Sequence, residues 1–169
     1  MSMPLSCNFG PKLAIFPSNM AVVRILVDGY SLLQQWPALA PGKPRTSEAA
    51  REELIARLTR YHDVSGIPIT VIFQGSAHDL GPFPSTPAVE VVFAPTQRSA
   101  EQLIERVCHR MKTFGEVLVV RDTPNSASGT ISSCANFIHT LEHALSELEQ
   151  DLSQYNQKER LKFTSGRIP

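Results

Sequence analysis

The 169 residues are enough for one ordinary domain with tails, and 42% hydrophobic against 19% charged residues is enough to bury a core, which excludes a chain disordered by composition. The formal net charge of +0 excludes a global basic field, so any nucleic-acid contact must rest on a local patch. No apolar run approaches the roughly 20 residues of a membrane span, no secretory signal is visible, and three cysteines without a CxxC pair exclude a disulfide framework, so a reducing, cytoplasmic setting is expected.

Residues 1–20 read as a loose tail, broken by Pro4, Gly10, Pro11 and Pro17, with Met20 as an alternative start. The domain proper is expected over 21–150, with 151–169 as a helix end and basic tail carrying Lys158, Arg160, Lys162 and Arg167. The run Val22 to Val27 suits a strand covered on both faces. It ends on Asp28, and Gly29 lets the chain turn there. On this strand alone Asp28 is either a ligand-binding group at the sheet edge or a cap for the next helix. Ser31 to Trp36 reads as a short helix stopped by Pro37.

Thr46 or Ser47 then opens a helix with Ala50, Leu54, Leu58 and Tyr61 at helical spacing, closing near Ser65-Gly66. Strands are expected over Pro68–Phe73, ending at Gln74, over Val89–Phe93 and over Glu116–Val120, which leads into Arg121-Asp122. Between the last two, Arg98 to Phe114 forms a helix with Ala100, Leu103, Ile104, Val107 and Met111 on one face. Thr123 to Gly129 reads as a loop. The last helix starts near Ser132 or Ser133, and Ile131, Cys134, Ile138, Leu141, Leu145, Leu148, Leu152 and Tyr155 step by three and four in a heptad seam. Two readings stand for its second half: it frays, or it packs on a partner helix as in a homodimer. Cys108 and Cys134 fall on apolar faces and read as core.

The order β-α-β-β-α-β-α gives a layered α/β domain around a mainly parallel sheet of four or more strands. It delivers Asp28, Glu101 with Glu105, and Asp122 to one edge, and Glu101 and Glu105, four apart, share a helix face. Clustered carboxylates suit Mg²⁺ or Mn²⁺, which can activate water against a phosphodiester. The alternative is a solvated helix face and a turn residue. Arg98, Arg106, Arg110 and Lys112 form either a phosphate-binding strip or ordinary surface charge. Tyr30 and Trp36 could stack on a base, although Trp36 fits a core or lid position better. His139-Thr-Leu-Glu142-His143 matches the H-x-x-E-H zinc motif. So short a pattern arises by chance, only 26 residues follow it, and a solvated face is the better account.

Taken together, Ile25-Leu-Val-Asp28-Gly-Tyr30, Trp36-Pro37, Ala50-Arg51, Leu54-Ile55, Thr70-Val-Ile-Phe73, Val89-Glu-Val-Val-Phe93, Ala100-Glu101, Ile104-Glu105 and Arg121-Asp122 form an ordered set. Over about residues 22 to 145 it resembles the YacP-like NYN domain, a branch of the PIN-like nuclease superfamily. The resemblance implies a PIN-like three-layer sandwich and metal-dependent cleavage of RNA, in some members with the ribosome. It also implies Asp28, Glu101 and Asp122 as holders of Mg²⁺ or Mn²⁺, with Glu105 in support. Tyr30, Ser31, Arg51, Arg98 and Arg121 are the residues expected to meet RNA. Four positions depart from the family pattern: Ser31 stands for Asn, Gln74 for Asp, Glu101 for Asp and Arg121 for Ser or Thr. Gln74 lacks a carboxylate's charge, Glu101 is a methylene longer, and Arg121 can pair with Asp122 or bind a phosphate. Asp79 is a weak candidate to replace Gln74. The alternative function is therefore an inactive module that binds RNA or the ribosome.

Overall fold

The computed structural model describes residues 21–75, 86–122 and 129–165. The tail 1–20, Asp79, the loop residues 123–128 and Arg167 lie outside the described residues.

Five parallel strands form one sheet in the order β3-β2-β1-β4-β5: β1 (Val22–Asp28), β2 (Ile69–Gln74), β3 (Val89–Ala94), β4 (Glu116–Val120) and β5 (Thr130–Ser132). Alternation along the strands divides the core. Ile25, Val27, Ile69, Val71, Phe73, Leu118 and Val120 face one layer, and Leu26, Ile72, Val117 and Val119 face the other. The first layer is α1 (Gly29–Gln35), α2 (Glu48–Ser65) and α4 (Cys134–Ser165), contributing Leu33, Leu54, Leu58, Tyr61, Phe137 and Leu141. The second is α3 (Gln97–Met111), contributing Ala100, Ile104 and Cys108. The chain steps from β1 to β2 in one direction and from β3 back across to β4 in the other. Crossovers of one hand therefore put α2 and α3 on opposite faces. The expected three-layer α/β sandwich is what forms.

Local signals act where the sequence put them. Ser47 caps α2 by accepting the Ala50 N–H at 3.3 Å, and Gly66 closes it in the left-handed conformation at φ 70°. Gly29 has a packing reason as well: a Cβ there would meet Cε1 of the fully buried Phe73 at 2.4 Å. Gly29→Ala is expected to cost about 1–3 kcal/mol by overpacking. The reading is a lower urea midpoint at unchanged slope; an unmoved midpoint would show that Phe73 yields freely.

Three expectations are corrected. Thr130–Ser132 is a strand beside β4, where the last helix was expected to begin near Ser132 or Ser133 with Ile131 on its seam, so α4 begins at Cys134 and the half-exposed Ile131 belongs to no helix seam. α4 continues as helix past 150 to Ser165, longer than the domain bounds expected. α3 ends at Met111, three residues before Phe114. The H-x-x-E-H segment is part of α4's surface. Glu142 accepts a hydrogen bond from the Trp36 indole at 3.1 Å, and His143 lies 3.4 Å from Glu147. Trp36 is core, with the Arg57 guanidinium 5.3 Å from its ring centre.

Candidate functional site

The switch in strand order falls between β1 and β4, and there a cleft of about 400 Å³ opens at the carboxyl ends of the strands. Asp28 and Tyr30 come from the end of β1 and the start of α1, Ile72 and Gln74 from β2, Arg121 from just beyond β4. The first two turns of α3 close it with Gln97, Ala100, Glu101 and Ile104.

Asp28 has both roles that its sequence position allows. It lines the cleft, and it caps α1: its carboxylate accepts the Ser31 N–H at 3.2 Å and the Ser31 hydroxyl at 3.0 Å. Such a cap is worth about 1 kcal/mol. Ser31 also lines the cleft, and Tyr30 beside it sets its ring edge-on to Phe73 at 5.3 Å. Asp122 is a cap too, accepting the Cys134 N–H at 2.9 Å at the start of α4. Burial, then the Asp122 charge and its hydrogen bond to the thiol, then the Asp28 charge push the Cys134 thiol up to about 12. Cys134 is fully buried, the core position its apolar face predicts, and sits against the Asp122 carboxylate.

Arg121 dominates the electrostatics of the cleft. Its side chain is 3% exposed, and its guanidinium lies 3.8 Å from the Glu101 carboxylate, which is 39% exposed. Burying a guanidinium is costly unless it faces an anion, so Glu101 is this cation's neighbour within the cleft. The Gln97 amide also reaches Glu101, at 3.5 Å.

Asp28, Glu101, Tyr30, Ser31 and Arg121 thus come together in one cleft, and Asp122 stands on the same edge beside Cys134. Glu105, Arg98 and Arg51 are not among the lining residues. Glu105 and Arg98 are exposed on α3, and Arg51 donates to the Thr46 carbonyl at 2.7 Å, holding the loop before α2. Gln97 is the lining residue that sequence reasoning missed. Its signal was its place four residues before Glu101 in the first turn of a helix aimed at the edge. Among the described residues no three His, Cys, Asp or Glu side chains are grouped to hold a metal ion.

Residues 25–165 match the model of the YacP-like NYN domain. Over 91 residues the chain is 30% identical to the uncharacterized protein YacP of Bacillus subtilis (strain 168), an alignment that takes in 53% of this chain and 54% of that protein. The chain thus spans about half the length of that curated relative. The crystal structure of Rae1 (YacP) from Bacillus subtilis superposes with a TM-score of 0.64 at 19% identity, covering 86% of this chain and 87% of that one. A point variant of the same protein gives 0.65 at 22% identity over 79% and 84% of the two chains. At these identities the superpositions speak for the fold.

Proposed function

The chain belongs to the YacP-like NYN domain family, a branch of the PIN-like nuclease superfamily, and from that premise we propose that its cleft binds RNA through Arg121, with nuclease chemistry weakened or lost. The single observation that carries the proposal is the buried guanidinium facing Glu101 inside the acidic cleft. A phosphodiester is the natural competitor for that guanidinium, since charge-assisted bonds from Arg to phosphate are short and strong. Tyr30 supplies a ring at the same cleft for a base.

Nucleases of this kind generally depend on a divalent metal. The donor set here does not fit one well. Gln74 is neutral, Glu101 faces Arg121, Asp28 is engaged by Ser31 and Asp122 by Cys134. A cation near Glu101 would meet the repulsion of a fixed guanidinium a few ångströms away. One observation favours the second reading, a metal-dependent endoribonuclease. Asp28 and Glu101 line one cleft, with Asp122 capping α4 at the same edge of the sheet.

Glu101→Gln separates the two. In the binding reading Glu101 competes with phosphate for Arg121, so neutralising it tightens RNA binding several-fold at low salt. In the nuclease reading Glu101 is a metal ligand, so its loss removes Mn²⁺-dependent cleavage. Fluorescence anisotropy on a short single-stranded RNA measures the first effect and a cleavage gel the second. Weaker binding by the variant would count against the proposed role of Arg121.

A further inference from the structure

From Ser146 to Thr164 every residue of α4 except Glu159 is exposed. A bare helix of this length, about 28 Å, is marginal in water on propensity alone. Yet it carries apolar side chains on the seam that continues from the buried Leu141 and Leu145. Leu148 is 37%, Leu152 53% and Tyr155 63% exposed. The steps of three and four persist through these residues, which is the pattern of a helix packed on another helix.

Charge identifies the other helix. The first half of the exposed segment bears Glu147, Glu149 and Asp151, and the second half bears Lys158, Arg160 and Lys162, with Glu159 as the exception. Some of these have neighbours in the same chain: Glu149 with Arg60 at 2.8 Å, Glu147 with His143, and Lys162 with Glu159 at 2.8 Å. Each partner in those pairs is at least 33% exposed, and such surface pairs hold little energy. A helix acidic at one end and basic at the other is complementary to itself when reversed.

We propose that two copies of this chain associate through this segment as an antiparallel helix pair. Leu152 of each copy packs on Tyr155 of the other. Asp151 and Lys158 flank the seam seven residues apart, on one side of it, so each Asp151 faces the second copy's Lys158. Parallel pairing would set Glu159 against Glu159 and Lys162 against Lys162 within the seam itself. The proposal is independent of what the cleft binds, because the cleft lies at the carboxyl edge of the sheet and uses no residue of α4.

Sedimentation equilibrium of the full chain, from micromolar to submillimolar concentration, is the test. The mass is expected to rise from 18.6 kDa toward twice that value. Leu152→Asp should hold it at the monomer while circular dichroism and urea midpoint stay put, since Leu152 has no place in the domain core. Asp151→Lys and Lys158→Glu should each weaken association about tenfold, and the double exchange should restore it to within about twofold. A monomer at every concentration overturns the proposal, as does a dimer indifferent to Leu152→Asp. A dimer that the double exchange does not restore overturns the antiparallel register. A segment that stays monomeric but whose variants lose RNA binding would instead make this a nucleic-acid arm.

Discussion

Arg121→Gln should weaken binding of a short single-stranded RNA by about 10- to 100-fold, the loss of one charge-assisted contact to phosphate. The effect should be large because the Arg121 side chain lines the cleft and, only 3% exposed, is held at the end of β4. Its N–H also donates to the Ser132 carbonyl at 3.1 Å, which ties its backbone to β5. An arginine fixed in this way loses little side-chain freedom on binding, unlike the exposed Arg98, Arg106 and Arg110 on α3. The slope of log affinity against log salt should fall by about one phosphate contact. Arg121→Lys should fall between, since a point charge replaces the planar fork. The urea midpoint of each variant shows whether binding or folding has been lost. RNA affinity unchanged in folded Arg121→Gln would remove the cleft from the account.

Phe137→Ala should cost about 3–5 kcal/mol, a large share of the roughly 5–15 kcal/mol of an ordinary domain. Phe137 is 1% exposed and meets Tyr61 of α2 edge-on at 5.7 Å. With Cys134 and Leu141 it seats the first turns of α4 on the sheet, and those turns hold the Cys134 N–H that Asp122 caps. The loss therefore reaches the acidic edge as well as the core. Leu161→Ala, on the same helix but 63% exposed and off the seam, should stay within about 0.5 kcal/mol. Urea unfolding of the two variants side by side measures the contrast. Equal midpoints would mean that α4 contributes nothing to the domain.

β1 to β4 were legible because each is a short run rich in β-branched and aliphatic residues, interrupted only at Arg24, Thr70 and Glu90. β5 was not, because Thr130–Ser132 is three residues long, too short to show a period, and Ile131 happens to continue the seam of the following helix. Phe137 escaped the seam reading for a related reason: it buries itself beside the regular steps of three and four, between Cys134 and Leu141. At the site, strand ends gave Asp28, Gln74 and Arg121 their common edge, since a parallel sheet puts all carboxyl ends together. What spacing could not give was which groups face each other. Glu101 lines the cleft and Glu105, four residues on, does not, because α3 presents only its first two turns to the cleft. The approach of Arg121 to Glu101 likewise depends on how α3 lies across the sheet.

The most direct test is RNA affinity of the unmodified chain, measured once with chelator and once with Mn²⁺, with the RNA from the same samples run on a denaturing gel. Similar affinity in both and intact RNA are expected. Cleavage that appears with Mn²⁺ in the parent and vanishes in Asp28→Asn would contradict the binding reading and establish a metal-dependent nuclease.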